Sequence, residues 1–299
     1  MNILLFGATG NIGKKLAKRL VENGHFVSNV SRDINKSKSL LPNIQRHLSL
    51  DDNEELQKAI ALSDVVINLA GFPVSEKWTK ENKELIYNSR IKITSKIVEL
   101  INTSQNKPKK FISSSAIGFY GNGREHLLTI DSPPGVGFLA NVCLDWEEEA
   151  QKVDEKVILI IPRIGIVLDK ESGALPKMAT PFKLFVGGIL GDGRQWMSWI
   201  HIDDLVNLFI EFVETDKYEG VLNAVSPNSV RNHTFSKILA KVLNRPNLLF
   251  VPSFVLRIIL GESASMVLNS QKVFPEKLIQ NDFEFKYPEL EKALINLLK

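Results

Sequence analysis

Two side chains suited to proton transfer, Ser115 and Tyr120, follow the run Phe111–Ser114. A serine hydroxyl or a tyrosine phenol can give or take a proton at a bound ligand. If the run is a parallel strand, both residues lie near its carboxyl end, where sheets of this kind bind ligands. Ser115 and Tyr120 are therefore the candidate catalytic pair, and a packing role for the Tyr120 ring is the alternative.

A glycine-rich turn, formed by Gly7, Gly10 and Gly13, follows the first aliphatic run, Ile3–Phe6. Small residues let the backbone approach a pyrophosphate, and the N-terminus of the next helix supplies free N–H groups. Gly13 also allows that helix to pack closely on the strand. We predict a dinucleotide-binding turn, with an ordinary strand–helix turn as the alternative. The predicted turn includes the residues beside its glycines: Thr9, Asn11 and Ile12.

The end of the second aliphatic run, at Ser31 and Arg32, bears on which dinucleotide binds. Arg32 lies 19 positions after Gly13. An acidic residue at about this distance holds the ribose 2′-hydroxyl of NAD, whereas an arginine accommodates the 2′-phosphate of NADP. Ser31 and Arg32 therefore predict NADP(H) as the cofactor. Asp33 leaves an alternative open, because it could either cap the next segment or turn inward and favour NAD.

Two further arginines, Arg163 and Arg194, are candidates for binding anionic groups. Arg163 follows the run Val157–Ile161, so we expect it at the carboxyl edge of the sheet, in contact with the cofactor. Arg194 lies in a glycine-rich loop and is the candidate substrate-binding residue. Surface ion pairing is the alternative for both. Cys143 is predicted to be a small buried residue rather than a nucleophile.

Strands and helices must position these residues. In the sequence, short aliphatic runs alternate with longer amphipathic stretches, a pattern typical of βαβ units. Several runs are apolar at consecutive positions, as parallel strands covered on both faces require. The predicted strands are Ile3–Phe6, Phe26–Val30, Ile44–Leu48, Val65–Asn68, Phe111–Ser114 and Val157–Ile161. Helices are predicted near 79–103, 139–152, 203–215 and 234–243.

The pattern changes after about Ser172, where prolines and glycines break the chain into loops. We therefore predict an α/β fold with two parts. Residues 1–172 would form a Rossmann-type, doubly wound parallel sheet that binds NADP(H). Residues 173–299 would form a smaller C-terminal substrate lobe packed against it.

Composition and charge exclude several classes of protein. Of the 299 residues, 44% are hydrophobic and 24% are charged, which excludes a disordered chain. A net charge of +3 without a long basic block gives no support for binding nucleic acid or an anionic membrane. One cysteine and five histidines show no metal-site spacing, and no apolar run could span a bilayer. With no targeting segment visible, we expect a cytoplasmic protein without a metal site.

Several motifs together resemble a known superfamily. The Gly-x-x-Gly-x-x-Gly spacing is similar to that of short-chain dehydrogenases/reductases of the extended branch, and Asn68-Leu-Ala-Gly71 resembles their Asn-Ala-Gly motif. The resemblance implies that Leu69, Ala70 and Gly71 line the adenine and ribose side of the cofactor. It also places Ser115 at the catalytic serine position after the fifth strand.

The chain departs from this superfamily at the Tyr-x-x-x-Lys motif. In these enzymes the tyrosine transfers a proton, while the lysine lowers the tyrosine pKa and holds the ribose. Phe138 and Val142 stand at those two positions here. Arg90 stands where the superfamily often has a structurally important asparagine, so we expect it to order its neighbours rather than to catalyse.

Motifs in the second half of the chain narrow the resemblance. Phe182-Lys-Leu-Phe-Val-Gly187, Gly191-Asp-Gly-Arg194 and Trp199-Ile-His-Ile-Asp203 occur in order, followed by a distinctive tail at about 248–296. Together they resemble atypical epimerase-family proteins of the YfcH type, with their C-terminal domain of unknown function. The resemblance implies a nucleotide-sugar-epimerase-like fold that binds NADP(H), without an established substrate. Many short-chain relatives dimerise through the helices predicted here at 79–103 and 139–152, so a homodimer is also an expectation.

Two classes of function remain open. The first is an NADP(H)-dependent reductase or epimerase-like protein that acts on a small molecule, such as a carbonyl compound or a nucleotide sugar. The second is a non-catalytic NADP(H)-binding sensor or regulatory protein. Phe138 and Val142 favour the sensor, whereas Tyr120, Arg163 and Arg194 favour a substrate pocket. Without a lysine beside it, Tyr120 should keep a high pKa and act as an acid, so the expected chemistry is reduction.

Overall fold

The fold is described from a computed structural model that describes all 299 residues. The strands are β1 (Asn2–Phe6), β2 (Phe26–Ser31), β3 (Arg46–Ser49), β4 (Val65–Asn68), β5 (Lys110–Ser113), β6 (Ser115–Ala116), β7 (Leu127–Leu128), β8 (Ile158–Ile164), β9 (Ile166–Leu168), β10 (Gly188–Leu190), β11 (Trp196–Met197), β12 (Trp199–His201), β13 (Gly220–Ala224), β14 (Val230–Arg231), β15 (Leu249–Val251) and β16 (Lys272–Val273). The helices are α1 (Asn11–Glu22), α2 (Ile34–Leu40), α3 (Asn53–Leu62), α4 (Lys80–Thr103), α5 (Phe138–Ala150), α6 (Ala174–Lys183), α7 (Ile202–Glu214), α8 (Asn232–Leu243), α9 (Ser253–Leu260), α10 (Ser265–Leu268), α11 (Glu276–Gln280) and α12 (Leu290–Leu298).

The central sheet is parallel throughout and confirms the predicted doubly wound architecture. Its order is β13-β8-β5-β4-β1-β2-β3, and the short β6 also pairs with β8. The direction of winding reverses between β1 and β4, where open α/β sheets form a ligand-binding crevice. Phe6 lies opposite Asn68, and Asn68 lies opposite Ser113. The residues that follow these three strands therefore leave the sheet side by side.

Alternating residues of β1 show how the sheet is covered. Ile3 and Leu5 belong to a core that includes α1 and α7, whereas Leu4 and Phe6 belong to a second core that includes α3, α4 and α5. Successive side chains of a strand point to opposite faces, so the sheet is buried on both sides. This is why the strand sequences are nearly continuous apolar runs.

The predicted boundary at residue 172 does not separate the sheet from the rest of the chain. The second part supplies β13, which pairs with β8 in the central sheet, and α7, which packs beside α1. The remaining C-terminal elements return to the carboxyl end of the sheet, where β16 pairs with β7. None of the helices combines the length and the apolar character needed to cross a membrane.

Large apolar side chains are exposed in three segments of the C-terminal lobe. These side chains belong to the turn after α6, to β15 with the residue before it, and to α9. The turn after α6 leads into β10, and β10 pairs with β15, so the first two segments lie close together. We call this set the C-terminal apolar surface: Leu184, Phe185, Val186, Leu248, Leu249, Phe250, Phe254, Ile258 and Ile259.

Candidate functional site

The glycine turn after β1 has the close backbone approach that its sequence predicts. Gly7 has φ +88°, and a Cβ there would lie 2.7–2.8 Å from backbone atoms of Leu69 and Ala70. A Cβ on Gly13 would lie 2.3 Å from the Gly7 carbonyl oxygen, so only glycine lets α1 start this near the strand. Asn29 of β2 steadies the turn by accepting the Ala8 N–H through Oδ1 at 3.3 Å.

The N-terminus of α1 is open to a ligand. Gly10 caps the helix without a side chain, and no acidic residue lies in the first turn. Asn11 is exposed, while Thr9 and Ile12 are half-buried beside it. Free N–H groups and the helix dipole favour an anion at this point, so the turn fits the pyrophosphate of a dinucleotide.

At the end of β2 the structure decides between the two roles left open for Asp33. Its carboxylate accepts the Lys36 N–H at 2.9 Å and thereby caps α2. Ser31 supports the same turn, since its hydroxyl donates to the Asp33 carbonyl at 3.0 Å. Arg32 is exposed and forms no ion pair within the chain. The arginine, rather than the aspartate, is therefore available to a ribose phosphate.

The carboxyl ends of β4 and β5 add polar groups beside the glycine turn. Asn68 holds the backbone that follows β4, accepting the Ala70 N–H at 3.1 Å, and the next residue, Gly71, is exposed. Ser113 and Ser114 are almost fully buried, yet neither hydroxyl has a hydrogen-bond partner within the protein. Buried hydroxyls normally have partners. These two point to a polar ligand at the ribose side of the site, so the residues present fit a dinucleotide.

The Ser115 hydroxyl is not free but belongs to a buried polar network. Its Oγ donates to Glu147 Oε1 at 2.6 Å. The same carboxylate accepts two hydrogen bonds from Arg163, from Nε at 2.9 Å and from Nη2 at 2.8 Å. The Arg163 guanidinium also packs on the Phe119 ring, 3.4 Å from its centre. The sequence predicts a cofactor contact for Arg163. In the structure its guanidinium N–H groups instead donate to buried groups of the protein.

Tyr120 is connected to this network through Arg163. Arg163 Nη1 donates to the Tyr120 hydroxyl at 2.9 Å, and that hydroxyl donates to Asn223 Oδ1 at 2.7 Å. Burial raises the pKa of Tyr120 above its ordinary value, and the Arg163 charge opposes part of the rise. Tyr120 is therefore a neutral phenol near pH 7, oriented by two buried neighbours.

The start of α5 shows what replaces the usual tyrosine and lysine. The Phe138 ring packs edge-on against Trp78, 5.1 Å between centres, and Lys83 lies 5.3 Å from its centre. Val142 is buried and carries no charge to the site. Cys143 is also buried, as predicted, and burial raises the pKa of its thiol to about 11. The thiol is therefore not a nucleophile at neutral pH.

Arg194 and Arg90 occupy very different surroundings. Arg194 lies at the surface in the turn before β11, where its own N–H donates to Asp192 at 2.9 Å and its side chain has no ion-pair partner. Arg90 is half-buried in α4 and donates through Nη1 to the carbonyls of Phe72, at 3.1 Å, and Ile86, at 3.0 Å. These bonds order the chain after β4, as the sequence predicts for Arg90.

Sequence reasoning missed four residues of this site: Ser113, Ser114, Glu147 and Asn223. The serine run at 113–115 indicates hydroxyls at a strand end. It does not indicate which of these hydroxyls has a hydrogen-bond partner within the protein. Glu147 lies among three consecutive glutamates, and nothing in the sequence separates the buried one from its exposed neighbour Glu148. Asn223 belongs to β13, whose place in the central sheet was not foreseen.

Comparison with known proteins assigns the family. Residues 3–224 match the NAD dependent epimerase/dehydratase family, and residues 251–297 match a domain of unknown function, DUF1731. The first match spans the central sheet except for Asn2 at its start. It includes both groups of site residues, those around the glycine turn and those around Tyr120. The second begins at the last residue of β15 and includes the tail that resembles the YfcH-type proteins.

Individual relatives align along the whole chain. The Arabidopsis thaliana protein named epimerase family protein SDR39U1 homolog, chloroplastic, is 41% identical over 297 residues, covering 98% of this chain and 86% of the relative. The Bacillus subtilis epimerase family protein YfhF is 36% identical and covers 100% and 98% of the two chains. The human epimerase family protein SDR39U1 (isoform 2), solved with NADPH, superposes with a TM-score of 0.90 at 29% identity, covering 99% of both chains. The chain therefore belongs to the NAD dependent epimerase/dehydratase family, with a DUF1731 domain at its C-terminal end.

Proposed function

We propose that the chain binds NADP(H) at the glycine turn and reduces a carbonyl group of a small molecule. The observation that carries the proposal is the juxtaposition of an open α1 N-terminus with the unpartnered hydroxyls of Ser113 and Ser114. The exposed and unpaired Arg32 supports NADP(H) rather than NAD. The human relative solved with NADPH supports the same choice of cofactor.

Tyr120 is the proposed proton donor. Bound NADPH would supply the hydride. Because the pKa of Tyr120 is raised, the phenol is protonated near neutrality and can act as an acid but not as a base. A substrate oxygen would take the place of Asn223 as acceptor of the phenol proton, and the Arg163 hydrogen bond would stabilise the phenolate that remains. Arg194 is the proposed contact for an anionic group of the substrate.

A Tyr120→Phe substitution tests the acid role. We expect turnover to fall roughly a hundredfold, because general acid catalysis typically contributes about that factor, while NADPH affinity stays within about twofold. NADPH oxidation would be followed with a panel of carbonyl compounds, enones and nucleotide sugars. Tyr87→Phe, which removes a phenol hydroxyl outside the network, is the matched control. Unchanged turnover in Tyr120→Phe would contradict the assignment.

A second candidate function is that of an NADP(H)-binding sensor. It is favoured by one observation: both Ser115 and Tyr120 direct their protons at internal acceptors, Glu147 and Asn223. A sensor would bind NADPH without oxidising it against any member of the panel. It would also show slower amide hydrogen exchange around the C-terminal lobe with NADPH than with NADP⁺. NADPH consumption that depends on a substrate would exclude this function as the sole one.

A further inference from the structure

Arg90 is a half-buried cation without an acidic partner. Both of its hydrogen bonds within the chain are made by Nη1, and they go to neutral carbonyls. Nε and Nη2 donate to no protein atom, and no carboxylate lies within 4 Å. Burial lowers the pKa of Arg90. Burying a charge without an opposite charge is costly, and polar groups held in this way commonly serve a ligand.

The free side of the guanidinium lies against Gly71, one of the residues expected to line the cofactor. Nη2 is 2.9 Å from the position that a Cβ on Gly71 would take, and Gly71 is exposed where the chain leaves β4. The guanidinium also lies over the Trp146 ring of α5, 5.2 Å from its centre, which restricts its movement. Arg90 is therefore held between the end of β4 and the helix that carries Val142.

We propose that Arg90 binds the nicotinamide-ribose half of NADP(H) through Nε and Nη2. This inference rests on the proposed binding of NADP(H). The forked donors of a guanidinium suit two neighbouring hydroxyl oxygens, and Val142 supplies neither a donor nor a charge on the facing helix.

The other two polar parts of the dinucleotide have their own partners. The pyrophosphate fits the N-terminus of α1 after β1, and the 2′-phosphate fits Arg32 at the end of β2. Arg90 adjoins the end of β4, two strands away from β2 in the sheet. Neighbouring strands lie about 4.8 Å apart, so the ends of β2 and β4 are roughly 10 Å apart. We assign Arg32 and Arg90 to different halves of an extended ligand.

Calorimetric titration with two ligands tests the assignment. NADPH contains both halves, whereas 2′,5′-ADP contains only the adenosine half with its 2′-phosphate. We expect Arg90→Met to weaken NADPH binding about tenfold or more, since two hydrogen bonds from a charged group are lost. Its affinity for 2′,5′-ADP should stay within about twofold of the wild-type value. Arg32→Met is the matched control and should weaken both ligands.

Arg90→Lys keeps the assignment testable if Arg90→Met does not fold, as judged by its thermal unfolding. Lysine retains the charge but loses the fork, so we expect an intermediate loss for NADPH and none for 2′,5′-ADP. An equal loss for both ligands, or no loss for either, would overturn the role of Arg90. Failure of the wild-type chain to bind either ligand would instead refute the proposed function itself.

Discussion

At the residue scale, the pair formed by Glu147 and Arg163 holds the candidate site together. Both side chains are at most 5% exposed, and their charged atoms approach to 2.8 Å. Removing one member of a buried pair leaves the other charge uncompensated, at a cost of about 3–5 kcal/mol. We expect Glu147→Gln to lose most of that stability in urea unfolding. Glu148→Gln, at the exposed neighbour, should change the free energy of unfolding by less than about 0.5 kcal/mol, and equal effects would contradict this account.

Single residues were predictable from sequence where backbone geometry demands a particular type. Gly7 and Gly13 are required by contacts of 2.3–2.8 Å that any Cβ would make, so their spacing alone indicates the turn. The partners of Ser115 and Arg163 were not predictable, because Glu147 lies 32 and 16 residues away from them. Such contacts depend on how α5 is rotated against β6 and β8, which no local pattern specifies.

At the scale of elements, Lys110 ties β5 to the end of α7. Its side chain is 2% exposed, and its ammonium group donates to the carbonyls of Phe212, Val213 and Thr215, with Asp216 at 3.0 Å. These carbonyls have no partners further along the helix. Lys110→Met should therefore lower the free energy of unfolding by about 2–4 kcal/mol.

The neighbouring lysine provides the control for this prediction. Lys109 is 58% exposed and also contacts Asp216, at 2.6 Å. An exposed pair of this kind contributes less than about 1 kcal/mol, so Lys109→Met should have little effect on urea unfolding. Equal destabilisation of the two variants would contradict a stabilising role for the helix-end contacts of Lys110.

The strands of the first half were predictable because burial on both faces makes them continuous apolar runs. The fourth strand, Val65–Asn68, has the bounds that its sequence predicts, and the third begins at Arg46 rather than at Ile44. The helices observed at 202–214 and 232–243 were expected at 203–215 and 234–243. By contrast, β13 was missed because Gly220–Ala224 is a short run in a segment dominated by loops, and its strand pairing comes from distant β8.

At the scale of the whole molecule, the homodimer stays a prediction. We expect two chains to pair through α4 and α5, where Leu85 is a 46% exposed apolar residue. Light scattering should then give twice the 33.6 kDa mass of one chain, and the Leu85→Asp variant should have the mass of a single chain. Phe254→Asp, on the C-terminal apolar surface, is the control and should leave the dimer intact. A constant mass of 33.6 kDa would contradict the dimer, and dissociation by Phe254→Asp alone would move the interface to that surface.

Selection of NADP(H) through the glycine turn and Arg32 is central to the proposed function. Calorimetric titration of the wild-type chain with NADPH and with NADH tests it directly, because the two ligands differ only in the 2′-phosphate. We predict that NADPH binds at least about tenfold more tightly, as expected for a charged contact to a phosphate, and that Arg32→Ala removes most of the difference. Arg46→Ala, which removes a surface arginine paired with Glu55, should leave the difference unchanged. Equal affinities of the wild-type chain for NADPH and NADH would contradict the account.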